Sequence, residues 1–161
     1  MMVWTIVPGQ GLGRLRFGMS PEEVAALPGM GRAGHVYRGR GNRIMEYRGL
    51  SVPVCEYSGG ALCAIVAGRH VEAVVFDGID LFAAGPREVL HGLEQRFGTA
   101  QLCQEQLVFA PAGLRLGGYY DAHDHRFFEP GVDYHDERFV TLCVPDQVVA
   151  PSEQREEVSL P

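Results

Sequence analysis

Two periodicities alternate along the chain. Short apolar runs bounded by glycine-containing turns are interrupted twice by segments with helical spacing. The first of these opens with Ser20-Pro21-Glu22-Glu23. Ser20 is a good N-cap, Pro21 suits the first helical position, and Glu23 is placed to close a capping box. The pattern predicts a short helix through Val24 and Leu27 that stops near Pro28-Gly29. The second starts at Gly85-Pro86, repeats Val89, Leu90, Leu93 and Phe97 at helical spacing, and offers Gly98 as its C′ residue. Strands are predicted over 43–47, 50–57, 61–67 and 71–76, with Ser58-Gly59-Gly60 as a hairpin turn. A second set is predicted over 101–109, 114–120, 125–129 and 139–144.

The two sets are related by an offset. Phe17, Pro21, Glu23 and Val24 match Phe82, Pro86, Glu88 and Val89, and Gly49-Leu50 matches Gly113-Leu114 at nearly the same shift. The expected fold class is therefore α+β: two tandem repeats, each a short helix packed on a small antiparallel sheet, with the sheets separate or continuous. A single domain is expected over 1–145, made of repeats at about 8–76 and 77–145. Residues 146–161, which include Pro151-Ser152-Glu153-Gln154-Arg155-Glu156-Glu157, read as a polar, flexible tail.

The segment Leu12-Gly13-Arg14-Leu15-Arg16-Phe17-Gly18-Met19-Ser20-Pro21-Glu22-Glu23-Val24 resembles the start of each repeat in the β-lactamase inhibitory proteins and in BamE-like lipoproteins. The second copy departs from it, with Ala83-Ala84-Gly85 in place of Gly-Met-Ser. The resemblance implies an architecture of helix-plus-sheet units whose open sheet face grips another protein. It transfers no contact residue.

Composition narrows the function classes. A formal charge of −6 argues against a general binder of nucleic acid or anionic membrane. All 14 basic residues are arginine, which we read as codon bias in a GC-rich bacterial genome. No apolar run is long enough to span a bilayer, and the start of the chain is a poor signal peptide, so a cytoplasmic location is expected. Cys55, Cys63, Cys103 and Cys143 are widely spaced in apolar runs and read as buried, reduced thiols.

The richest chemistry lies in Tyr119-Tyr120-Asp121-Ala122-His123-Asp124-His125 and Tyr134-His135-Asp136-Glu137. On one strand face Asp121, His123 and His125, joined by His135, would make a metal site. The offset, however, places Ala122-His123-Asp124 opposite Ser58-Gly59-Gly60, at a hairpin tip. Tyr119, Tyr120, Asp121, Asp124, Glu129, Asp133, Tyr134 and Asp136 instead read as an acidic, aromatic contact surface for a basic partner. His35, His70 and His91 are isolated, and Pro8-Gly9-Gln10-Gly11-Leu12-Gly13 lacks the spacing of a dinucleotide loop. The expected function is non-catalytic binding of another protein, as an immunity or inhibitor protein that occludes a toxin or enzyme, with no cofactor. The alternatives are a metal-dependent enzyme using Asp121, His123 and His125, and an oligomeric scaffold.

Overall fold

The computed structural model describes residues 2–133 and 135–161. The chain runs through β1 (Trp4–Val7), β2 (Gly11–Leu12), β3 (Leu15–Arg16), α1 (Pro21–Ala25), β4 (His35–Arg38), β5 (Arg43–Tyr47), β6 (Val54–Ser58) and β7 (Ala61–Gly68). It continues through β8 (Val74–Phe76), β9 (Ile79–Asp80), α2 (Pro86–Phe97), β10 (Ala100–Cys103), β11 (Gln106–Phe109) and β12 (Leu114–Gly117). Last come β13 (Tyr120–Asp121), β14 (Arg126–Phe127), β15 (Phe139–Cys143) and β16 (Glu156–Val158).

The helix-entry signals act locally as their chemistry dictates. Ser20 Oγ accepts from the Glu23 amide at 3.1 Å, and Glu23 Oε1 accepts from the Ser20 amide at 3.2 Å. Pro28 lies too close for α1 to extend, and the helix is only five residues long. In α2 the apolar residues Val89, Leu90 and Leu93 are all buried, and Gly98 ends the helix at φ +89°.

Assembly overturns the expected fold class. Strands hold 38% of the chain and helices 14%, so this is a mostly β protein and not a tandem pair of helix-on-sheet units. Nine strands form one antiparallel sheet in the order β16-β10-β11-β12-β15-β7-β6-β5-β4. A second sheet, β3-β2-β1-β8-β9, is joined by a parallel β1–β8 pair, with Trp4 opposite Val74. The physical reason is edge satisfaction. A lone four-stranded meander would leave the backbone groups of β7 unpaired, and β15 takes them, from Gly68↔Phe139 to Ala64↔Cys143.

The tail is also corrected. Residues from Asp146 onward do not hang free: β16 pairs with β10, from Ala100↔Val158 to Leu102↔Glu156, and Val148 and Val158 are buried. Among the described residues no helix is long and apolar enough to cross a membrane.

The main core lies on one face of the nine-stranded sheet. Leu107, Phe109, Leu114, Leu116, Val140, Leu142, Ile65 and Ala67 form one cluster with Trp4, Ile6, Val24, Val89, Leu90 and Leu93. Arg138, 6% exposed, ties the approach to β15 to the entry of α2. Its guanidinium donates to the carbonyls of Phe82 at 2.8 Å and Ala84 at 3.2 Å, and to both carboxylate oxygens of Asp136.

Candidate functional site

Side chains alternate along a strand, so the residues not used by the core define an outer face of the large sheet. Register places Arg115, Phe139, Thr141 and Cys143 there from β12 and β15, with Ala64 and Val66 from β7. Val54 and Glu56 from β6, Arg43, Met45 and Tyr47 from β5, and His35 and Tyr37 from β4 complete it.

One end of this face is covered by the chain itself. Val148 packs with Cys63, Ala64, Cys103, Val108 and Cys143 in a second, smaller cluster. Arg115 donates to the Val148 carbonyl at 3.3 Å and pairs with Glu153 at 3.1 Å. The guanidinium and the Ala150 amide hold the Glu153 carboxyl down to about 2. All four cysteines are free and buried, and burial pushes the thiols of Cys55 and Cys143 up to about 11. Neutral thiols of this kind fill space and are poor nucleophiles.

Among the described residues the other end carries no such cover. Met45, Tyr47, Val54, Val66 and Phe139 are half-buried, and Tyr37 is 57% exposed. The rings of Tyr37 and Tyr47 meet edge-on at 5.1 Å. Phe139 sits between two glycines on the neighbouring strands, Gly68 and Gly117. A Cβ at Gly117 would collide with the Phe139 ring, so the absent side chain is what lets the ring lie down on the sheet. Between the two ends runs a groove of about 410 Å³, with the pair Arg43–Glu56 (2.6 Å) on one bank and Arg115–Glu153 on the other. Both arginines are already matched, so the groove offers polar and apolar contact without net charge.

Beneath the open end, on the core side, Glu46 accepts from Tyr57 Oη at 2.7 Å and from Arg48 at 3.0 Å. Arg48 is 2% exposed at its side chain. Residues 31–48 hold five arginines (Arg32, Arg38, Arg40, Arg43, Arg48) against one acid, Glu46. Arg32, Arg38 and Arg40 are exposed and join no ion pair among the described residues.

The contact surface expected at 119–137 is placed differently. Tyr119 and Tyr120 are buried; Tyr119 Oη donates to the Leu81 carbonyl at 2.8 Å, and Tyr120 Oη meets His125 Nδ1 at 2.6 Å. They are core residues, not anchors for a partner. Asp121 caps the hairpin turn by accepting from the amides of His123 and Asp124. Asp133 takes a two-pronged bond from Arg126 at 3.0 Å, and that guanidinium, with the Glu129 amide, holds its carboxyl below the usual range. Asp136 is held low by Arg138 in the same way. Asp124 and Glu129 remain exposed, and Tyr134 lies outside the described residues. The loop packs beside α2, where Phe127 meets His91 at 5.6 Å and Arg87 at 4.8 Å.

His123, His125 and His135 are exposed. The β13–β14 hairpin turns through 122–125, with His125 at φ +50°, and this breaks the alternation that a shared metal face requires. Among the described residues no three His, Cys, Asp or Glu side chains are grouped to hold a metal ion. Comparison of the chain with protein-family models, curated proteins and solved structures yields no match.

Proposed function

We propose that this protein binds another protein across the uncovered end of the outer sheet face. In its most concrete form it is a cytoplasmic immunity or inhibitor protein that occludes a toxin or an enzyme. One observation carries the reading. A single sheet face is covered by the chain's own residues 145–153 at one end and left bare, with Tyr37, Tyr47, Met45 and Phe139, at the other. Contiguous apolar and aromatic surface of this kind marks interaction sites. Four unpaired, buried cysteines suit a reducing compartment. Asp121, Asp133 and Asp136 serve the loop's own structure in this reading, and the contact surface is the sheet.

Affinity capture from lysate of the source organism tests it, with captured proteins identified by mass spectrometry. The unaltered protein and Asp124→Arg are expected to retain one near-stoichiometric partner, and the double variant Tyr37→Ala with Tyr47→Ala to lose it. Loss in Asp124→Arg with retention in the tyrosine variant would move the contact to the loop and refute the reading.

A further inference from the structure

We infer that the bare end of the sheet receives an acidic, extended segment of the partner, added as a further strand along the free edge of β4. This rests on the binding reading above and names the chemistry of what is bound.

Three observations converge there. First, β4 ends the nine-strand order, so no strand lies on its outer side among the described residues, and all four of its residues are exposed. An uncovered edge presents a row of amides and carbonyls that only another polypeptide satisfies in register. Second, the charge is positive and unmatched. Glu46 and Glu56 already answer Arg48 and Arg43, whereas Arg32, Arg38 and Arg40 have no ionic partner among the described residues. In a chain of net charge −6 this is a local reversal of sign. Third, the two sides of β4 differ. Arg38 and Val36 stand over Ile44 and Glu46 on the core side, and Tyr37 stands beside Tyr47 on the outer side. An added strand would therefore present carboxylates toward Arg38 and apolar groups toward Tyr37, an alternation of acidic and apolar residues.

The sign is opposite to the one the sequence suggested. Around 121–136 the two arginines, Arg126 and Arg138, are taken up by Asp133 and Asp136, whereas at the open sheet edge the exposed charge is positive. The same arginines and rings suit a single-stranded nucleic acid, but the open strand edge favours a peptide.

The test is fluorescence anisotropy with the full chain and a labelled ten-residue peptide of alternating Glu and Val. A Lys–Val peptide of the same pattern and a single-stranded oligothymidine run in parallel, and amide exchange is followed at Val36 and Arg38. The expected result is binding of the Glu–Val peptide alone, weakened about tenfold by raised salt, abolished in Arg38→Glu with Arg40→Glu, and accompanied by slower exchange at both amides. Both arginines are exposed and outside the ion pairs, so that variant is expected to fold, which circular dichroism checks. Equal binding of the Lys–Val peptide, preferential binding of oligothymidine, no binding of the Glu–Val peptide, or binding without protection of β4 would each overturn the inference. If a captured protein is lost by the tyrosine variant yet kept by Arg38→Glu with Arg40→Glu, the binding reading stands and this one falls.

Discussion

The two ends of the outer sheet face are built on one plan and finished differently. At the β10–β12 end an ion pair, Arg115–Glu153, lies on the outer side and fastens a covering segment down. At the β4–β6 end the corresponding buried pair, Arg48–Glu46, lies on the core side, and the outer side is left to rings and a methionine. The lesson is that covering a sheet face and holding it firm are separable. A face held from beneath stays ordered without a lid, and is then available to another chain.

Breaking each anchor measures that separation. Glu46→Ala is expected to have the largest effect of any single substitution named here, because it leaves Arg48 buried without its carboxylate; the loss is about 3–5 kcal/mol, read by urea unfolding. Truncation after Val144 removes the burial of Val148 and Val158 and is expected to cost about 3–5 kcal/mol. It should also make Cys103 and Cys143 react with a thiol reagent that does not touch them in the intact chain, while Cys55, in the core, stays protected. If the truncated protein keeps its stability, the covering segment is an accessory and the comparison fails.

Glu153→Gln sharpens the contrast through pH. The folded carboxyl sits near 2, below its ordinary value of 4.5. Its stabilising contribution is therefore complete above about 4.5 and is lost as pH falls toward about 2. Thermal unfolding of the unaltered protein should show this loss over that window, and Glu153→Gln should flatten it. At the open end, Tyr37→Ala should leave the unfolding free energy, read by urea titration, within about 0.5 kcal/mol of the parent, since the ring is mostly in water.

Legibility in the sequence followed the range of each interaction. The capping box at Ser20, the strand 43–47 and the hairpin at Ser58-Gly59-Gly60 rest on neighbours in the chain, and the structure has them. The sequence shows one strand over 101–109 where the structure has two, because the turn between β10 and β11 is made by Gln104 and Glu105, at φ +50° and +65°, with none of the residues that usually mark such a turn. Edge strands β4 and β16 bury little, so the sequence carries no strand pattern at His35–Arg38 and gives Glu156–Val158 the composition of a tail. At the candidate site, Tyr119 and Tyr120 beside acids have the same pattern in a core as in an interface. The pairing of Arg126 with Asp133 and the cover over Arg115 are tertiary facts with no local signature.

The pairing of β7 with β15 has a consequence for synthesis. β7, Ala61–Gly68, is the longest strand and one of the most apolar, and its partner lies in the distant segment Phe139–Cys143. A ribosome releases β4 to β7 long before β15 exists, so the half-made sheet carries a bare, sticky border throughout translation of the second half. Loop closure over that distance also makes this seam slow to form. Newly made protein is thus most open to self-association until its fifteenth strand emerges, and the rate of elongation through 69–143 sets how long that exposure lasts.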